Sequence, residues 1–186
     1  MAHALAGRLA VVPLALLALP SAAVAHRLDE YLQATLVVIE PTGITLMINL
    51  TPGVEVADEV LKRIDFNRDG QISDGETATY SELLRRDLTL RLGADNMELE
   101  TVAAVLPTPA ELRTGEGIIQ VAFAAAMSLV AGRHVLVLEN RHHARIGAYL
   151  LNAALPKSRS IEIVRQTRNE NQSVGEIEFR FEPVPR

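Results

Sequence analysis

Between Asp65 and Glu76 the chain sets side-chain oxygens at alternate positions and closes the series with a glutamate, a spacing that leaves the backbone few conformations. Asp65, Asn67 and Asp69 stand at the first, third and fifth places of a twelve-residue stretch, so a tightly turning backbone aims three oxygen groups at one point. Gly70, at the sixth place, permits the sharp turn. The carbonyl of Gln71 adds a backbone oxygen, Ser73 reaches the same point directly or through water, and the two oxygens of Glu76 close the shell. This donor set suits Ca²⁺, which takes about six to eight oxygens, better than Mg²⁺, which keeps more of its water. Ile72 is apolar at the eighth place and is expected to point into the core.

The loop is expected to lie between two helices. Thr51 and Pro52 fit an N-cap and a first helical residue, with Val56, Val60, Leu61 and Ile64 forming one apolar face up to about Ile64. Beyond the loop, Tyr80, Leu83 and Leu84 give a second stripe ending near Asp87. With every ligand position filled, residues 54–87 resemble the EF-hand family, a resemblance that implies Ca²⁺ held by Asp65, Asn67, Asp69, Gln71, Ser73 and Glu76. One departure is Gly75, at the eleventh place, where a helix should be starting and glycine costs about 1 kcal/mol relative to alanine.

The amino terminus has a different character. Arg8, the apolar run from Leu9 to Leu19 and the small residues Ala23-Val24-Ala25 read as a secretory signal peptide over residues 1–25. The apolar run is shorter than the ~20 residues a spanning helix needs, and no later stretch could span, so no membrane span is expected after cleavage. Cleavage there leaves 17 basic against 23 acidic residues, a net charge of −6 that disfavours nucleic acid as a partner. The expected location is therefore periplasmic or secreted. The chain has no cysteine, so it cannot use disulfides there, and a structural metal could do part of that work.

The remaining chain alternates with a period of two. Tyr31 to Glu40 and Ile44 to Leu50 read as a hairpin, and Leu88 to Leu92 with Met97 to Thr101 as a second one. Residues 106–117 read as a long loop, and Ile118 to Ala126 and His134 to Glu139 as strands joined by a turn. Arg145 to Leu155 leans towards strand, and Ile161 to Val164 and Ile177 to Phe181 complete the set. The fold expected is α+β but mostly β. It is an antiparallel β-sandwich of immunoglobulin-like layout, without the marker Cys and Trp, spanning residues 26–186 and carrying a helix-loop-helix insertion at about 51–87. The arrangement resembles exported bacterial proteins in which a His-Arg-Leu-Asp-Glu-Tyr-Leu segment, here His26 to Leu32, precedes an EF-hand-like loop, and that resemblance implies no activity.

Cleavage after Ala25 would make His26 the first residue, whose imidazole and free amine could chelate Cu²⁺ or Ni²⁺. That alternative needs a second histidine, and His134, His142 and His143 read as lone surface residues. Asn169 to Ser173 reads as a polar loop, because its glycine, Gly175, falls one place late for a second calcium loop. No G-x-S-x-G, H-E-x-x-H or phosphate-cradling glycine motif occurs, and the expectation is a non-enzymatic calcium-binding protein with a structural or interaction role.

Overall fold

A computed structural model describes residues 28–183. The expected signal peptide and His26 lie outside the described residues. Buried and more exposed positions alternate strictly in Tyr31–Glu40 (β1) and Gly43–Pro52 (β2), and the two pair antiparallel in full register from Tyr31↔Pro52 to Glu40↔Gly43. Around them lie Glu100–Val105 (β5), Ile119–Ala126 (β6) and Gly147–Ala153 (β8), giving a sheet of order β5-β6-β2-β1-β8. Only β8 runs parallel to its neighbour. A second sheet joins Leu88–Leu92 (β3), Asp95–Met97 (β4), Gly132–Asn140 (β7), Ile161–Arg168 (β9) and Val174–Phe181 (β10) in the order β4-β3-β7-β10-β9, all antiparallel. The chain is thus mostly β, with two antiparallel-rich sheets.

Both sheets send their apolar positions into one core. Leu46, Ile48 and Phe123 of the first sheet and Leu136, Leu138, Ile177 and Phe179 of the second are all buried in the same cluster. The edges of the two sheets are closed differently. On one side Gln166 of β9 donates to the Leu151 carbonyl of β8 at 3.1 Å and accepts from the Ala153 N–H at 3.2 Å. On the other side the helices Ala57–Ile64 (α1) and Asp74–Arg86 (α2) fill the gap, α2 packing on β5 and β3. Thr101 and Ala104 of β5 meet α2 beside Thr77 and Ser81, and their register partners Phe123 and Val121 are core residues. The oxygen-rich loop between α1 and α2 is therefore carried at the flank of the core.

Four expectations are corrected here. The first helix begins at Ala57, with Thr51 and Pro52 in β2. Pro52 is tolerated there because the pairing with β6 ends at Leu50, so its missing N–H leaves no ladder bond unmade. Residues 106–117 contain a short helix, Pro109–Thr114 (α3), opened by a capping box in which Thr108 and Glu111 bond each other's backbone and closed by Gly115 at φ 75°. β6 and β7 do not pair with each other, because β6 is held by β2 and β5 while β7 is held by β3 and β10. The return strand of the second hairpin stops at Met97, and the segment from Glu100 crosses to the other sheet.

Phe123 lies at the centre of this core and is fully buried. Phe123→Ala is expected to lower stability by about 3–5 kcal/mol, from lost burial plus the cavity left behind. Urea unfolding followed by circular dichroism measures it.

Candidate metal site

α1 ends where Asp65 turns off the helix, and α2 starts under the side chain of Ser73. Between them the loop curls on its own hydrogen bonds. Asp65 accepts from the N–H groups of Asp69 at 3.1 Å and Gly70 at 3.0 Å. The Asn67 side-chain carbonyl accepts from Asp69 N–H at 2.9 Å, and Asp69 accepts from Gln71 N–H at 2.8 Å and from the Asn67 amide at 3.0 Å. Two residues adopt the left-handed conformation, Arg68 at φ 61° and Gly70 at φ 79°. Asp65, Asn67 and Asp69 are thus brought together as the spacing predicts. Each carboxylate oxygen that accepts one N–H keeps a further lone pair.

Glu76 approaches from the other side. It is 1% exposed, and its Oε2 accepts from the Ser73 N–H at 2.9 Å and hydroxyl at 2.8 Å, completing a capping box with the Glu76 N–H on Ser73 Oγ. These bonds from Ser73, helped by the Asn67 main chain, hold the Glu76 carboxyl below the ordinary carboxylate range, against burial and, less strongly, the Asp69 charge. Its Oε1 is buried and has no hydrogen-bond partner, alone in this among the buried side-chain oxygens and nitrogens of the described residues. A buried anionic oxygen left without a donor is costly, and a hard cation is the partner it suits. The donor chemistry of the loop fits such an ion: Asp65, Asn67, Asp69 and Glu76 by side chains, Gln71 by its carbonyl. Ser73 is committed to the cap, which leaves it a contact through water. Among the described residues no three His, Cys, Asp or Glu side chains are gathered into a metal-holding group, since the loop carboxylates turn to their own backbone. Gly75 falls in the first turn of α2, beneath the capping box, and Ile72 packs against the core as expected.

Behind the loop lies a second polar feature that the sequence reading missed. His142 is not a surface residue: it is fully buried, in the turn between β7 and β8. Its Nδ1 is 2.7 Å from Asp87 Oδ2, just past the end of α2, and its Nε2 is 2.9 Å from the hydroxyl of Tyr80 within α2. The Tyr80 hydroxyl is in turn 2.5 Å from that of Tyr31 in β1. An ionised Asp87 only accepts, so Nδ1 carries the proton, Nε2 accepts from Tyr80, and Tyr80 accepts from Tyr31. The main chain of His142 is held equally: its carbonyl accepts from Gln33 at 2.7 Å and Tyr149 at 2.9 Å, and its N–H donates to Asn140 at 2.9 Å. One turn thereby ties α2 to both sheets. The signal available in the sequence was Tyr80 inside an apolar helix stripe, since a buried tyrosine needs a partner for its hydroxyl.

The other two histidines among the described residues are also engaged. His134 Nε2 is 2.8 Å from the Val130 carbonyl with its ring stacked on Phe179, and His143 is half-buried with its ring edge-on to Tyr31. No family model, no curated protein and no solved structure matches this chain. Among the described residues no helix is long and apolar enough to cross a membrane.

Burial pulls the imidazoles of His142 and His143 below the usual 6.5, against the Asp87 hydrogen bond in the first case and with the help of the neighbouring His142 in the second, where the value falls to about 4. Both groups then bind protons more readily unfolded than folded. Their contribution is present in full above the unfolded value of 6.5 and is lost as pH falls below it, for His143 towards about 4. Denaturant melts at about pH 7.5 and about pH 5, a span chosen to lie above carboxylate titration, should show lower stability at the acid end. His143→Gln should flatten that slope.

Proposed function

We propose that this is an exported calcium-binding protein, in which one EF-hand loop is carried on the flank of a β-sandwich of immunoglobulin-like layout and serves a structural or interaction role. The observation that carries the reading is Glu76 Oε1, an unpartnered buried carboxylate oxygen at the closing position of a loop whose first, third and fifth positions are Asp65, Asn67 and Asp69. Export rests on residues 1–25, with cleavage leaving His26 first.

Bound Ca²⁺ would supply charge neutralisation, and the chain's own residues would do the rest. Asp65, Asn67 and Asp69 present oxygens from a backbone fixed by the loop's N–H groups, and Ser73 holds Glu76 in place from the helix cap. A paired EF-hand stiffens its partner, and a single loop lacks that support, so the affinity expected is of the weak extracellular class, with Kd on the order of 10⁻⁴ M. At ~1 mM free Ca²⁺ this stabilises the native state by about 1.4 kcal/mol.

Calorimetric titration with Ca²⁺ and Mg²⁺, with thermal melts in Ca²⁺ and in chelator, tests the proposal. The expected outcome is Ca²⁺ binding that Glu76→Gln weakens at least about tenfold, by removing the charge at the closing ligand. Chelator should lower the melt modestly and leave the strand signature intact. A melt that Ca²⁺ does not move, in protein whose amino-terminal sequence begins at His26, would reject calcium binding while keeping export.

A further inference from the structure

The two sheets differ sharply on the faces turned away from the core. The second sheet's outer face is charged and internally paired: Arg133 bridges to Glu178 at 2.5 Å, Arg165 to Glu176 at 3.4 Å and Arg180 to Glu162 at 3.6 Å. That is an ordinary solvated surface. The strands of the first sheet, by contrast, contain no Lys, Arg, His or Asp, and their charged residues are Glu40 and Glu100. Both glutamates stand at the same end of the sheet, since Glu40 pairs with Gly43 and Glu100 with Ala124 near the end of β6.

The rest of this face is mostly apolar or small, with Thr45, Asn49, Thr51, Gln120 and Asn152 as its uncharged polar positions. Leu36 and Met47 are directly paired across β1 and β2, 39% and 52% exposed, and Met47 pairs in turn with Ala122. Leu150 of β8, 42% exposed, adjoins Ala34 on the far side. Apolar side chains in the middle of an outward sheet face cost solvation unless another surface covers them.

We infer that this face is the interface of a homodimer, formed by a second copy of the chain laid face to face. Three observations select that occupant. A face whose strands carry charge only at the Glu40 and Glu100 end meets little like charge when opposed to itself end for end, which a face patterned like the second sheet's would. Small residues such as Ala34 and Ala122 beside Met47 let two sheets approach to the ~10 Å of sheet-on-sheet packing. The extent also suffices: five strands at ~4.8 Å and about eight residues at ~3.3 Å give roughly 600 Å² per copy, so the pair buries roughly 1,200 Å², at the lower bound of specific interfaces. A lipid surface fits less well, because these strands offer no basic residue to meet headgroups. The glutamates fix the sense of packing. A two-fold axis running across the strands puts the Glu40 and Glu100 ends of the copies at opposite ends of the interface, with Met47 close to the axis.

Sedimentation equilibrium of the exported chain beginning at His26 should show a monomer-dimer equilibrium with Kd on the order of 1–10 µM, with or without calcium, in keeping with an interface of this size. Leu36→Lys/Met47→Lys and Leu36→Glu/Met47→Glu should each weaken it at least about 100-fold, since like charges meet across the axis. Mixing the two variants should restore a heterodimer. Val137→Lys, on the outer face of the other sheet, should leave dimerisation unchanged, with circular dichroism confirming the fold of each variant. Met47→Cys adds no charge, and because the native chain has no cysteine it should be captured as a covalent dimer by a short bismaleimide, whose reach matches two residues opposed across sheets ~10 Å apart. A wild type that is monomeric at 100 µM overturns the inference, whether or not it sediments with phosphatidylglycerol vesicles. So does association that survives both charge variants, which would place the contact elsewhere in the chain. Failure of the bismaleimide to cross-link Met47→Cys in a dimer overturns the face-to-face geometry.

Discussion

The imidazole of His142 is the point on which the arrangement of the whole domain turns. It is buried without a partner charge of its own kind, and each of its polar groups is used: Nδ1 on Asp87, Nε2 on Tyr80, the carbonyl on Gln33 and Tyr149, the N–H on Asn140. Those partners come from β1, β7, β8 and α2, so a single turn sets the position of the exit helix against both sheets. Such a network is favourable only when complete, because a lone donor or acceptor left in a dry interior costs about 1–3 kcal/mol. Completeness is what makes it specific. A shift of α2 along the sheet edge would break the bonds to Tyr80 and Asp87 together, so the helix has one seat and not several.

That seat explains how a mostly β core tolerates a polar insertion at its flank. The first sheet ends in β5, whose positions Thr101 and Ala104 on the core side are small, and α2 packs beside them across a shallow open hollow. α1 adds Val60, Leu61 and Ile64 to the same core, so the helices complete the apolar interior while the loop between them stays outside it. The opposite edge is stitched by polar side chains, Gln166 and Arg168 reaching across to the backbone and side chains of β8. One edge is thus closed by packing and the other by hydrogen bonds.

How much of this was legible in the sequence depended on whether the signal was local. The first hairpin, α2 and the turn after α1 were readable because their evidence lies in nearby residues: the period of two in Tyr31–Glu40, the stripe Tyr80, Leu83 and Leu84, the oxygens from Asp65 to Glu76. α3 was locally signalled too, by Thr108-Pro109-Ala110-Glu111 and Gly115, but two prolines and two glycines within residues 106–117 suggested a loop. The start of α1 was misread because Thr51-Pro52 suits a helix start and a strand end equally, and only the pairing with Leu32 and Tyr31 decides between them. Strand order was not legible at all. β6 and β7 are neighbours in sequence, yet each finds its partners far along the chain, and nothing in either segment encodes the crossover. His142 failed for the same reason: its two side-chain hydrogen-bond partners lie at positions 80 and 87, far along the chain from it, so it read as a lone surface residue.

The separation of the loop from the core bears on what a cation there could accomplish. The backbone of the loop is already satisfied, since Asp65, Asn67 and Asp69 accept its N–H groups, so its shape does not wait on a metal to form. α2 is likewise held without one, by Tyr80 and Asp87 on His142. What remains unbalanced is charge: Asp65, Asp69 and Glu76 crowd a short span, and Glu76 Oε1 has no donor. A divalent cation would answer that imbalance and little else. Its effect would therefore be confined to the loop and the first turn of α2, while the hydrogen bonds of His142 one to three turns further along keep the helix where the sheets require it. On this reasoning the proposed calcium site stiffens a flank whose position the fold has already determined, and a signalling displacement of α2 would first have to break the buried chain from Asp87 to Tyr31.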